Sequence, residues 1–433
     1  MKALVIGAGV VLVLSGAGYA QYSLNQVVEA ELDRMTDSEF ISAQLGMPVA
    51  VSNVSQQSGL FDSAGSLTIK SALVQADYEI DIEYRFDHTI VSGVQYEMVI
   101  PDLRIENDGL SFSFADDLFQ GQAIRILGEI DSKGGKVGQM LVPEANAKSV
   151  DGLSLAISPY PVDYEIRGFT QNATTGDYKL NFTIPMIELS AQTGVLKVEG
   201  LSWGQGYEGS DKVLKGDFTM GVAKMTSESA KVTENFELKN AAIQIDTTID
   251  DNMLNTMEVT LASLTSPVMG ELNNVAVTTR TGGLDGALVI ELVNKVNEMQ
   301  RDEQADPAMA MVELQEYLGT NLDALVAPSP YFEVQKLQFD LNGERFVDAT
   351  GKVSLQSDKL PSNYFLNLMR QGSEPDAATM MSAINAKLDS AFGPQAAMMI
   401  GPMHPMLMAV LQSGEPIAFQ LENGQMTLNG QPL

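Results

Sequence analysis

Strict alternation of apolar and charged residues is the feature that most limits the fold of this chain. Tyr78, Ile80, Ile82, Tyr84 and Phe86 alternate with Glu79, Asp81, Glu83, Arg85 and Asp87. Successive side chains of a strand point to opposite faces, so this pattern predicts a strand with one buried side and one wet side. The same period recurs from about Val49 to Leu284, in Leu180, Phe182 and Ile184 and again in Ile243 and Ile245. Leu103 and Ile105 lead through Asn107, Asp108 and Gly109 into Leu110, Phe112 and Phe114, which has the turn chemistry of a hairpin. No helical crossovers separate these segments, so the pattern predicts an antiparallel meander rather than a parallel sheet.

After Gly286 the period changes. Leu288, Val289, Leu292, Val293, Val296 and Met299 share a helical face, and Asp306-Pro307 opens a second helix with a cap and a proline at its first position. Strand pattern returns around Asn342-Gly343. A third helix is expected through Met380, Met381, Ile384, Leu388 and Phe392, ending at Gly393, with a Met-rich segment after it running to Gln412. The chain closes on a hairpin across Asn423-Gly424. The fold class expected is α+β, membrane-anchored, with a long, curved antiparallel meander followed by a mixed helix and strand region. The division expected is 1–21 anchor or signal peptide, 22–48 amphipathic helix, 49–284 β-rich body and 285–433 α+β domain.

The N-terminal segment carries the membrane reading. Ala3 to Ala20 is an uncharged run of 18 residues, about 27 Å as a helix and close to a ~30 Å hydrocarbon core. Gly18 and Ala20 fit the −3 and −1 positions of a cleavage site. The length of the run favours a retained anchor, as does the helical face that follows in Leu24, Val27, Val28, Leu32 and Met35. Lys2 precedes the run while Glu29, Glu31 and Asp33 follow it, which puts the N-terminus in the cytoplasm and the bulk outside.

Composition excludes whole classes of partner. The formal charge is −30, from 26 basic and 56 acidic residues. Nucleic acid and anionic lipid surfaces both need basic patches, so neither is an expected partner. Cysteine is absent, which removes disulfides and thiolate chemistry. With only His88 and His404, a histidine-based metal or proton-transfer site is hard to build. Gly200-Leu201-Ser202-Trp203-Gly204 spells a nucleophile elbow, but strand-like sequence follows it where the chemistry requires a helix. Gly204 to Gly209 spells a dinucleotide loop that opens no helix either. Asp250-Asp251-Asn252 reads as a solvated turn rather than an oxygen-ligand cation site, and His88 as a hydrogen-bonded core or strand-end residue. No catalytic residue, metal or cofactor is assigned.

Two stretches are candidates for a hydrophobic ligand. One is the apolar face of Tyr78, Ile80, Ile82, Tyr84 and Phe86. The other is the Met-rich segment with Met398, Met399, Met403, His404, Met406 and Met408, where Met403 and Met406 are the assigned contacts. Thioethers with an imidazole suit copper(I), whereas flexible methionines more often pack or adapt to apolar partners.

The closing segment, residues 419–433, reads FQLENGQMTLNGQPL. It resembles the end of the YdgA-like family of bacterial inner-membrane proteins, in which an N-G-x-hydrophobic-T-hydrophobic-N-G core recurs. Ser58-Gly59-Leu60-Phe61-Asp62-Ser63 is similar to that family's G-x-F-x-S element after the first strand. The resemblance implies a single-pass bacterial inner-membrane protein with its bulk in the periplasm, and it carries over no catalytic residues. The long meander also resembles AsmA-type envelope proteins, which implies lipid handling. The function expected is therefore a non-enzymatic envelope protein whose curved sheet holds lipid or another hydrophobic ligand. The alternative is a scaffold with a dry core that meets an envelope protein partner.

Overall fold

Strand pairing is antiparallel throughout the described part of this computed structural model, and helices fill only the ends and connections of the meander. The structure describes residues 21, 23–45, 48–73, 76–89, 92–107, 110–131, 134–149, 151–168, 176–210, 212–301, 307–371, 376–400 and 415–433. Among them no helix is long and apolar enough to cross a membrane, and the run at 3–20 lies outside them. Two units divide the chain, Met1–Ser190 and Ala191–Leu433. The boundary thus falls within the strand-rich part, well before residue 285.

Among the described residues the first unit begins with helices α1 (23–36) and α2 (Ser38–Leu45). Strands β1 (Ala50–Ser58), β2 (Asp62–Leu73) and β3 (Ala76–Thr89) follow as successive hairpins. The next strand path is broken in two. β4 (Gly93–Ile100) pairs with one half of β3, and β5 (Leu103–Asn107) pairs with the other. Pro101 lies at the break, where the missing N–H of proline cannot continue a ladder.

β6 (Leu110–Ser113) and β7 (Ile124–Ile130) lie beyond β5 and β4 respectively. A single π-helical turn, Phe114–Leu118, separates them. Asp102 secures that turn, accepting from Ser113 Oγ at 2.8 Å and from the Ala115 N–H at 3.1 Å. β8 (Lys136–Val142), β9 (Ala145–Lys148), β10 (Ser154–Ile157) and β11 (Tyr160–Arg167) repeat the broken pattern, with Pro143 and Pro159 at the breaks. β12 (Gly176–Ala191) pairs with both β11 and β10.

The core of this unit is α1 laid on the sheet. Val28 and Leu32 pack with Leu67 of β2, Tyr84 and Phe86 of β3, Val94 and Tyr96 of β4, and Ile130 of β7. Leu24, Val27 and Met35 complete the helix face expected from the 3.6-residue period. Buried Glu31 is compensated by an ion pair to Lys136 on β8.

One row across this core runs Phe86, Tyr96, Gly128, Gly138, Tyr164. The two tyrosine rings lie over the two glycines, and their hydroxyls meet at 2.5 Å. A Cβ on Gly128 would lie 2.7 Å from Tyr96 Oη, and one on Gly138 2.4 Å from Tyr164 Oη. Glycine is required there by close approach rather than by a turn.

In the second unit each strand pairs with the next. The long strands are β13 (Gly194–Gly209), β14 (Leu214–Ser229), β15 (Phe236–Ile249), β16 (Asn252–Ser266) and β17 (Gly270–Asp285). Helices α3 (Gly286–Arg301) and α4 (Pro307–Leu325) connect β17 to β18 (Tyr331–Leu341), which pairs back onto β17. β19 (Glu344–Leu355) leads through α5 (Tyr364–Gln371) and α6 (Ala377–Ala383) to β20 (Ile384–Phe392). After α7 (Pro394–Ile400) the chain ends in β21 (Ile417–Glu422), β22 (Gln425–Leu428) and β23 (Gln431–Pro432).

The turns Asn342-Gly343, Asn423-Gly424 and Asn429-Gly430 hold positive φ at both residues, as a type I′ hairpin turn requires. The helix expected through Phe392 stops at Ala383, because residues 384–392 pair with β19 and residues 386–390 also with β21. Ile384 and Leu388 fit a helical spacing, but with Ala386 they also alternate, and the open edge of β19 decides for the strand.

Candidate functional site

The five β3 residues share a face but not an environment. Phe86 is 0% exposed and Tyr84 3%, both under α1, and Ile82 packs against the same cluster. Tyr84 and Phe86 therefore present no surface to a ligand, which corrects their assignment as ligand contacts. The physical reason is that the amphipathic helix after the N-terminal run folds back on this strand instead of standing apart. Ile80 and Tyr78 are half-buried. Tyr78 lines a cavity of about 540 Å³ with Pro48, Val49, Ala50, Lys70 and Arg104 among its walls.

The cations at this cavity are already neutralised. Lys70 Nζ lies 2.7 Å from Glu79, whose hydrogen bond and charge raise the Lys70 pKa above its ordinary value. Arg104 contacts Asp102 at 2.8 Å, with Glu79 and Asp81 each at 3.6 Å. An anion entering there would have to break these pairs.

A broader apolar surface lies in the second unit. Trp203, Met220, Ile243, Val259, Val277 and Leu337 form one row across six strands, β13 to β18. Leu201, Val222, Ala241, Leu261 and Val275 form the row on one side of it, and Phe218, Ile245 and Met257 extend the other. All of these residues are half-buried, and none is buried to the degree of the α1 core. The alternate row is Gly204, Thr219, Gln244, Glu258, Thr278 and Lys336. This sheet therefore has one apolar and one polar face, as its period-2 sequence demands.

α3 covers only one end of the sheet. Val289 and Ile290 pack there on Leu214 and Ile249, with Met253 and Leu284 beside them. At the far side of the apolar rows, Gly200, Ala223, Asn240, Ala262 and Asn274 fall at the one level that the strand pairing skips. Gly200, Asn240 and Asn274 all hold left-handed φ, at 63°, 48° and 52°. A left-handed residue leaves the pleat, so alternate strands bend at a common level. Glycine is favoured at 200 by this φ and by space, since a Cβ there would lie 2.9 Å from Ala223 Cβ. Strand pattern is legible in the sequence at Phe218 and Met220, at Ile243 and Ile245, and at Leu337, and the matching alternation in Met257, Val259 and Leu261 belongs to the same face.

The remaining motifs resolve locally. Gly200 to Gly204 lies inside β13, and the Ser202 hydroxyl donates to the Gly221 carbonyl of β14 at 3.4 Å. Asp250-Asp251-Asn252 forms the turn between β15 and β16, where the Asn252 N–H donates to Asp250 Oδ1 at 3.2 Å. His88 is buried at the end of β3, with Ser63 Oγ 3.2 Å from Nε2 and the Asn25 amide 2.9 Å from Nδ1. Among the described residues, no group of three or more His, Cys, Asp or Glu is placed to hold a metal ion. Met398 and Met399 are strongly exposed on α7. Met403, His404, Met406 and Met408 lie outside the described residues.

No curated protein and no solved structure matches the chain. The model of a family described as bacterial protein of unknown function (DUF945) matches residues 1–433. The matched span is the whole chain, and the protein belongs to this bacterial family.

Proposed function

We propose that this chain is a non-enzymatic envelope protein, held in the bacterial inner membrane by its N-terminal run with its bulk in the periplasm. Its work is to hold acyl chains or another hydrophobic ligand on the apolar face of β13 to β18. The observation that carries this reading is the half-buried state of the rows around Trp203, Met220, Ile243, Val259 and Val277. An apolar patch of such extent marks an interaction site in soluble proteins. The YdgA-like resemblance of both chain ends supports the location, and the AsmA-like character of the meander supports the ligand class.

The scaffold reading draws on the first unit, where α1 covers the sheet of its own chain. Native mass spectrometry of the detergent-purified full chain separates the two. Lipid-mass adducts are expected on the wild type. In an Ile243→Asp variant they should disappear while the circular-dichroism melt is retained. A wild type free of adducts favours the scaffold, and a variant that keeps its lipid removes this face from the binding surface.

A further inference from the structure

The hairpin tip between β1 and β2 carries two exposed apolar side chains, Leu60 at 61% and Phe61 at 54%. Their backbone is fastened inward. Gln21, itself buried, donates from Nε2 to the Leu60 carbonyl at 3.0 Å and to the His88 carbonyl at 2.7 Å. The His88 N–H donates to the Phe61 carbonyl at 2.9 Å, and the Gly59 N–H to the Asp62 carbonyl at 2.7 Å. Ser63, His88 and Asn25 complete a buried polar cluster behind the tip. The chain has thus placed scarce buried polar groups where they pin this turn and satisfy its carbonyls. Meanwhile the two side chains point away from the core.

Gln21 is also the first residue after the uncharged run Ala3 to Ala20. The fastened tip therefore lies beside the point where that run joins the folded unit. We propose that Leu60 and Phe61 form a membrane-contact tip that enters the acyl region of the bilayer next to the run. Bonding the carbonyls of both tip residues within the protein lowers the cost of bringing this turn to the edge of the hydrocarbon. Aromatic and aliphatic side chains suit that depth, whereas neighbouring Asp62 limits the entry to the boundary of the hydrocarbon. This inference rests on the anchored reading above.

The test uses the full chain with Trp203→Phe, which removes the sole native tryptophan, and Phe61→Trp, which reports from the tip. The protein is reconstituted into phosphatidylcholine vesicles with and without bromine on the acyl chains, and co-flotation is measured alongside emission. Co-flotation with blue-shifted emission that loses intensity to acyl bromines is the expected result. Co-flotation with unquenched emission overturns the tip and leaves the anchor standing, and a blue shift without quenching assigns Leu60 and Phe61 to protein contact instead. Failure to co-float overturns the anchored reading and the tip together.

Discussion

Tyr96 and Tyr164 show how single residues define this fold. Their rings close over Gly128 and Gly138, and the hydroxyl pair at 2.5 Å joins β4 to β11 across two intervening strands. Gly138→Ala would place a methyl 2.3 Å from the Leu127 carbonyl and 2.4 Å from Tyr164 Oη. Such overpacking costs typically about 1–3 kcal/mol, so urea unfolding of the variant should show a lowered midpoint with an unchanged slope. Burial, and then the hydrogen bond to Tyr164, raises the Tyr96 pKa above its ordinary value. A raised pKa means that the unfolded chain ionises first. The contribution of Tyr96 is fully present below pH ~10 and is lost as pH rises beyond it. Urea midpoints measured from pH ~9 to ~11.5 should therefore fall in the wild type and fall less steeply in Tyr96→Phe. Equal slopes would show that this phenol carries no alkaline sensitivity.

At the scale of elements, α1 is the piece on which the first unit depends. Val28→Asp would set an unpaired carboxylate between the helix and β2 to β7, a change at the upper end of single-substitution effects, about 4 kcal/mol. Limited proteolysis should then cut residues 48–168 readily, and an uncut variant would show that α1 is dispensable. Much of this architecture is legible from local pattern. The face of α1 follows from the spacing of Leu24, Val28 and Leu32, and the hairpins at Asn342-Gly343 and Asn423-Gly424 follow from the demand for positive φ. The fate of 384–392 is not legible, because Ile384 and Leu388 satisfy two periods at once and only the free edge of β19 chooses between them. The candidate surface was half legible. Alternation shows that a strand has an apolar face, but which face α1 occupies depends on the tertiary path, so the burial of Tyr84 and Phe86 is not legible in the sequence.

For the whole molecule, the excess of 30 acidic charges sets the terms on which the membrane association proposed above would form. An anionic headgroup surface repels such a chain, whereas the apolar run at 3–20, the tip at Leu60 and Phe61 and the rows around Ile243 gain by leaving water whatever the headgroup. Salt screens exposed charges over a Debye length of about 8 Å at 0.15 M and leaves apolar contact intact. Binding to phosphatidylcholine vesicles should therefore be strong at low salt and no weaker at high salt. Binding to vesicles rich in phosphatidylglycerol should start weaker and rise as salt is added. Flotation assays across a salt series with both compositions check this directly. Tight binding to the anionic vesicles at low salt that salt then abolishes would reveal a basic lipid-facing patch. In that case headgroup attraction, rather than apolar contact, would carry the proposed membrane association.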